Sequence, residues 1–167
     1  ASYLVSLFDQ RTMELAALID GNRITDIRTA ATSVVAADAL CPARALRVAV
    51  IGSSTLARNT LQALAAVREV AAVRVFSPTP ASRERFAIEF RASHGLDIAA
   101  VDTPQAAVQG ADLVLCAARS KDESPVFLGE WLEPGMVVVS VGSTLPEQRE
   151  VDVTTLQRAT LIVADMV

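Results

Sequence analysis

The residues best suited to chemistry are Gly52, Ser54, Thr55 and Leu56, within Arg47-Val48-Ala49-Val50-Ile51-Gly52-Ser53-Ser54-Thr55-Leu56-Ala57. A short apolar run stops at a glycine, small residues follow, and helical spacing begins at once with Leu56, Leu61, Leu64 and Val67. This is the pattern of a buried parallel strand, a tight turn and a helix. The first N–H groups of such a helix have no acceptor within it and can face a phosphate.

A dinucleotide fingerprint asks for a glycine to make the turn, a second to let the pyrophosphate approach, and a third small residue for helix packing. Gly52 and Ala57 fill the first and third places, and Ser54 holds the second. Its side chain is short, and its hydroxyl is expected to donate to a phosphate. The next strand would end in an acidic residue if it held a free ribose 2′-OH. It ends instead in Phe76-Ser77-Pro78-Thr79, with Arg83 one helical turn further on. With no carboxylate in that stretch, Ser77, Thr79 and Arg83 are candidates to bind a 2′-phosphate. The stretch therefore favours NADP and leaves NAD open. The alternative for Arg83 is a solvated helix face, which is the preferred reading for Arg85 and Arg91.

These residues need a scaffold, and the chain alternates from Leu46 onward. Strands are expected near 47–51, 72–76, 97–101, 112–116, 136–141 and 160–164, with helices near 55–68, 81–93, 104–109, 126–132 and 152–157. Such βα repetition implies an α/β fold with a doubly wound, mostly parallel sheet. Before it, residues 3–8 and 14–19 read as a hairpin. Asp20-Gly21-Asn22 is a turn, and Thr25 is expected to cap a helix running to about Leu40, stopped by Pro42. Two strands and a helix make no core of their own, so this block is expected to pack against a segment absent from the chain or against a partner. Cys41-Pro42-Ala43-Arg44 has linker-like composition, placing a domain boundary between 1–42 and 43–167.

Of 167 residues, 51% are hydrophobic and 20% charged, which argues against disorder. A formal net charge of −4 with scattered Lys and Arg gives no footprint for nucleic acid. No apolar run approaches the ~20 residues that span a bilayer, and no basic-then-apolar leader opens the chain. The expectation is a cytoplasmic protein that binds a small molecule, not nucleic acid or membrane. Cys41 and Cys116 are too few and too far apart for a zinc motif or a disulfide framework, so both read as buried hydrophobes. His94 reads as the end of a helix. No metal site is expected.

Two longer segments carry a family resemblance. Leu18-Ile19-Asp20-Gly21 followed by Ile24-Thr25-Asp26-Ile27-Arg28-Thr29-Ala30-Ala31-Thr32-Ser33 resembles a signature of the ornithine cyclodeaminase/mu-crystallin family. Val141-Gly142-Ser143-Thr144-Leu145-Pro146 with Glu150 and Asp152 resembles a later one. The resemblance implies a Rossmann NAD(P)-binding domain preceded by the end of an α+β substrate and dimerisation domain, in a homodimer. Family members are longer at both ends, so the chain reads as a fragment.

By that resemblance Arg28 would hold a substrate carboxylate near the nicotinamide, with Thr29 beside it; a helix-surface arginine is the alternative. Thr55 and Leu56 would offer N–H groups to the pyrophosphate, and Ser77 would face the adenosine ribose. Ala117, Ala118 and Val139 to Gly142, Val141 included, would line the nicotinamide side. Cyclodeaminases of the family carry an acid/base aspartate where this chain has Thr144. A threonine hydroxyl has no pKa near neutrality with which to shuttle protons, so ornithine cyclisation is disfavoured. The family's substrate lysine belongs to a segment before Ala1. The function these residues imply is hydride transfer between NAD(P)H and an imine or a 2-oxo/2-amino acid. The alternatives are a non-catalytic NADP binder of the crystallin type and an inactive fragment.

Overall fold

The computed structural model describes residues 3–120, 123–143, 145 and 147–165. Its centre is a five-stranded sheet, β3 (Leu46–Ile51), β4 (Val70–Phe76), β5 (Ile98–Ala100), β6 (Leu113–Cys116) and β7 (Val137–Ser140), in the order β5-β4-β3-β6-β7. Every pairing is parallel. Strand β3 is central: the chain winds outward from it through β4 and β5, then returns to its other side for β6 and β7. This is the Rossmann-like, doubly wound arrangement.

Strand composition explains the layers. Side chains alternate across a sheet, and near-continuous apolar strands can therefore be buried on both faces. Val48, Val50, Leu113 and Leu115 face one core with α2 (Thr55–Val67) and α3 (Pro80–His94). Ala49, Ile51, Val114 and Cys116 face the other, closed by Ala107 and Val108 of α4 (Pro104–Val108) and by Phe127. At the N-terminal edge of the sheet Asp112 is buried. Its carboxylate accepts from the Arg44 guanidinium at 2.5 and 3.1 Å and from Arg47 N–H at 2.8 Å, joining the starts of β3 and β6.

The opening block divides. Strands β1 (Leu4–Phe8) and β2 (Leu15–Asp20) form the expected antiparallel hairpin, and it has no core: Leu4, Leu7, Phe8, Leu15 and Leu18 are all exposed. Helix α1 (Asn22–Leu40) packs instead on the sheet domain. It buries Ala30, Ser33, Val34 and Ala37, and Val34 and Ala37 join the core with Leu61 and Leu64. The expectation that the whole block packs on something outside the chain is therefore wrong for α1, whose apolar face is covered by this chain's own sheet and α2, while the hairpin stays uncovered. Helix α1 also starts earlier than Thr25. Gly21 holds the cap position, and Asp20 Oδ1 accepts from Asn22 N–H at 2.9 Å to tie the turn.

Two expected elements differ. The helix near 126–132 is only a 3₁₀ turn, Gly129–Trp131. Phe127 bridges to Val151, and Gly129 lies so close to α5 (Val153–Arg158) that a Cβ there would meet Thr155 N at 2.3 Å. Packing against α5 overrides helical spacing here. The strand near 160–164 does not form. Leu161, Ile162 and Val163 are exposed, and no ladder partner receives them among the described residues. Apolar composition supplied that expectation, but a strand needs a neighbour. Among the described residues no helix is long and apolar enough to cross a membrane. Both cysteines are free, Cys116 buried and Cys41 half-buried.

Candidate functional site

Register brings the C-terminal ends of the central strands level: Ile51 lies opposite both Phe76 and Cys116, and Cys116 opposite Ser140. The loops that follow, beginning at Gly52, Ser77, Ala117 and Val141, therefore meet at the point where the winding reverses. Open α/β sheets bind their ligands in this crevice.

Gly52 is fixed by backbone geometry. Its φ is +109°, and an added Cβ would lie 2.8 Å from Ala117 O. Its N–H donates to Phe76 O at 2.8 Å, while Ala117 N–H donates to Ile51 O at 2.9 Å. Only a glycine lets three loops converge so closely.

The role of Ser54 differs from the expected one. It is the N-cap of α2: Oγ accepts from Ala57 N–H at 3.2 Å and donates to Ala117 O at 3.1 Å. A hydroxyl has one proton, and in this structure it goes to Ala117 O. The next two N–H groups, of Thr55 and Leu56, find no acceptor among the described residues. They sit at the positive end of a 13-residue helix, where an anion is stabilised.

At the end of β4 the candidate residues make contacts within the protein. Ser77 is buried beside the turn; its hydroxyl accepts from Ser53 at 3.2 Å and contacts Thr79 O at 3.4 Å, so it is engaged within the protein. Thr79 holds the cap position of α3 without a side-chain capping bond and is exposed. Arg83 is neither a solvated face nor a free cation. It is 8% exposed, donates to Ser77 O at 3.1 Å and pairs with Asp102 at 2.5 Å. The Asp102 side chain, just beyond β5, is 93% exposed. The carboxylate absent from the end of β4 thus arrives from the neighbouring strand. Arg91 is exposed, as expected of a solvated face, and its guanidinium donates to Ile98 O at 2.6 Å.

On the opposite side of the turn, the loops after β6 and β7 meet around Glu150. Its carboxylate accepts from Ala118 N–H at 3.0 Å, Gly142 N–H at 2.7 Å, Ser143 N–H at 3.3 Å and the Ser140 hydroxyl at 2.7 Å. Ala118 therefore presents no free N–H to a ligand. Val141 is half-buried against the first core. Gly142 packs so tightly that a Cβ would lie 2.2 Å from Ala118 O. The Ser143 hydroxyl is buried and finds no partner among the described residues. Cys116, beneath these loops, is held protonated: burial first, then the Glu150 charge, pushes its thiol well above the ordinary value. Thr144 lies outside the described residues.

Arg28 and Thr29 belong to α1. Helices α1 and α2 run the same way, because Asp38 near the end of α1 pairs with Arg68 at the end of α2, at 2.8 Å. Arg28 precedes Asp38 by ten residues, about 15 Å of helix, which carries it toward the end of the molecule where α2 begins. Its side chain makes no hydrogen bond or ion pair among the described residues, and the residue is exposed. Thr29 Oγ1 donates to Thr25 O at 2.9 Å within the helix.

A sequence model described as the ornithine cyclodeaminase/mu-crystallin family matches residues 2–166. This chain belongs to that family. A putative dehydrogenase of Rhizobium meliloti is 36% identical over 159 residues, covering 95% of this chain and 48% of that protein. The mouse ketimine reductase mu-crystallin is 31% identical, covering 95% of this chain and 49% of that protein. Among solved structures, the Thermococcus litoralis Delta(1)-pyrroline-2-carboxylate reductase, in complex with NADH and L-proline, superposes with a TM-score of 0.85 at 30% identity. It covers 92% of this chain and 47% of that one. The chain spans about half the length of the curated relatives it matches.

Sequence reasoning missed Asp102 and the work of Glu150. Glu150 stood within a family segment, but nothing local marks its carboxylate as buried. Asp102 lies in a Val101-Asp102-Thr103 turn with no pattern of its own. Among the described residues no group of His, Cys, Asp and Glu could hold a metal.

Proposed function

We propose that this chain is the dinucleotide-binding part of an NAD(P)H-dependent imine reductase of its family, acting on a small substrate that carries a carboxylate. The observation that supports this most directly is the pair of unclaimed N–H groups, Thr55 and Leu56, behind the positive-φ turn at Gly52. Those donors suit a pyrophosphate. The dinucleotide, when bound, supplies the hydride. This chain's own residues bind and orient: α2 holds the phosphates, and the Ser77–Thr79 segment borders the adenosine side. Ala118, Val141 and Gly142 flank the nicotinamide. Arg28, with its uncommitted guanidinium, anchors the substrate carboxylate through a planar fork, and Thr29 supports it. Thr144 in place of an aspartate suits reduction, which needs geometry and an anion anchor more than a carboxylate base.

Both NADH and NADPH remain in this reading. Arg83 offers a cation for a 2′-phosphate, but Asp102 already neutralises it, which removes the argument for NADP over NAD. A homodimer is part of the proposal as well. The hairpin leaves Leu4, Leu7, Phe8, Leu15 and Leu18 in solvent, an apolar surface that association would cover. Residues 1–42 are then assigned to the substrate and dimerisation domain and 43–167 to the cofactor domain, with α1 packed across the boundary. The two unpaired cysteines suit a reducing compartment, and the cytoplasm is the one assigned.

Titration of the chain with NADH and NADPH, followed by nicotinamide fluorescence, tests the cofactor site; no change with either refutes it. Turnover of a cyclic ketimine carboxylate with the bound cofactor separates a reductase from a non-catalytic binder. In an active protein Arg28→Ala should raise KM at least about tenfold, the scale of one lost charge-assisted contact, with a smaller effect on cofactor affinity. An unchanged KM would remove Arg28 from the site.

A further inference from the structure

Glu150 is 2% exposed and belongs to none of the ion pairs among the described residues. A carboxylate is costly to bury without a cation unless its oxygens are saturated with donors. Here one oxygen accepts from Ala118 N–H, and the other from the Ser140 hydroxyl and from Gly142 and Ser143 N–H. The donors come from the end of β7 and from both loops that close the crevice beyond Gly52. The carboxylate thus occupies the place where a ladder bond between those loops would otherwise run: Val141 N–H still donates to Cys116 O at 3.0 Å, but the next N–H, that of Ala118, turns to Glu150.

Peptide planarity fixes the consequence. In a trans peptide the carbonyl of one residue points opposite the N–H of the next. Drawing Ala118 N–H inward sends the Ala117 carbonyl away, where it receives the Ser54 hydroxyl. Drawing Ser143 N–H inward sends the Gly142 carbonyl away, where it receives Arg119 Nε at 2.9 Å. Drawing Gly142 N–H inward sends the Val141 carbonyl away, and this one has no donor among the described residues.

We propose that Glu150 is a positioning residue for the nicotinamide half of the site: it locks the loops after β6 and β7 together and presents the Val141 carbonyl as acceptor for a primary carboxamide. The proposal rests on the dinucleotide reading above and goes further by dividing the site into a half that depends on Glu150 and a half that does not. The phosphate donors Thr55 and Leu56 are held by the Gly52 N–H bond to Phe76 O and by the Ser54 cap on Ala57 N–H, neither of which involves Glu150; the Ala117–Ala118 peptide is the one link between the halves, and Ala117 stays tied to β3 by its own N–H bond to Ile51 O.

The test compares NADH with ADP-ribose, which carries the same phosphates and no nicotinamide. Glu150→Gln keeps the shape of the side chain but turns an NH2 toward at least one N–H that needs an acceptor. Its affinity for NADH should fall by about tenfold or more while that for ADP-ribose stays within about twofold, as expected when one charge-assisted network is broken. Ser140→Ala removes a single donor and should shift NADH affinity the same way by a smaller factor, so the test survives if Glu150→Gln folds poorly. Equal losses for both ligands would mean a merely structural role and overturn the proposal, as would an unchanged NADH affinity in both variants. A wild-type chain that binds neither ligand would instead refute the dinucleotide reading, and the proposal with it.

Discussion

Replacing Ser54 separates two readings of the glycine-rich turn. In the structure its hydroxyl caps α2 through Ala57 N–H and donates to Ala117 O. Ser54→Ala removes both bonds. Loss of an N-cap costs about 1 kcal/mol, and loss of a hydrogen bond between loops about another 1 kcal/mol. Ser54→Gly restores the glycine of the dinucleotide fingerprint and loses only a few tenths of a kcal/mol at the cap, so its cost should be nearer 1 kcal/mol. Ser54→Thr keeps the hydroxyl and should stay close to wild type. For a chain of this size 1 kcal/mol corresponds to roughly 2–4 °C in Tm. Thermal unfolding by circular dichroism should therefore rank the proteins wild type, Thr, Gly, Ala, with Ala about 4–8 °C below wild type. Affinity for NADH or NADPH should change by less than about threefold across the series, because the hydroxyl proton is already given to Ala117. A fall of about tenfold in affinity for both Ala and Gly, with Tm unchanged, would mean that the hydroxyl binds phosphate and would refute the capping argument.

Two further outcomes follow from the same geometry. Gly52→Ala places a side chain at φ +109° and a Cβ 2.8 Å from Ala117 O, so a loss of about 2–4 kcal/mol in stability is expected from backbone strain and overpacking together; denaturant unfolding checks it, and a wild-type midpoint would show that the turn can relax. Asp112 bears on acid stability: burial alone would raise its pKa, but Arg47 N–H and the Arg44 and Arg47 charges outweigh burial and hold it below the ordinary value. Its stabilising contribution is therefore complete above the unfolded carboxylate pKa of about 4 and is lost as pH falls through the lower folded value. Asp112→Asn should be less stable at neutral pH and lack this part of the acid slope; unfolding curves measured from neutral to acid pH that stay parallel to wild type would exclude it.

Much of the scaffold was legible because its signals are local. The apolar runs at Leu46–Ile51 and Leu113–Cys116, the glycine after the first, and the alternation with helices sufficed for an α/β sheet, and the Arg28 and Gly142 segments sufficed for the family. Composition misled at 160–164 and spacing at 126–132, since a strand requires a partner and a helix requires room. The site was legible as a place, not as a set of contacts. Gly52, Thr55 and Leu56 follow from a strand, a turn and a helix in succession, and all three lie within one short segment. That Ser54 gives its proton to Ala117, that Asp102 neutralises Arg83, and that Glu150 gathers Ala118, Gly142 and Ser143 depends on residues brought together by strand order. Asp102 and Arg83 are 19 residues apart, and Ala118 and Glu150 are 32 apart. Sequence periodicity reports which face a residue turns to the core, because that is a property of one element. Which charge meets which donor is decided only when the parallel strands align their ends.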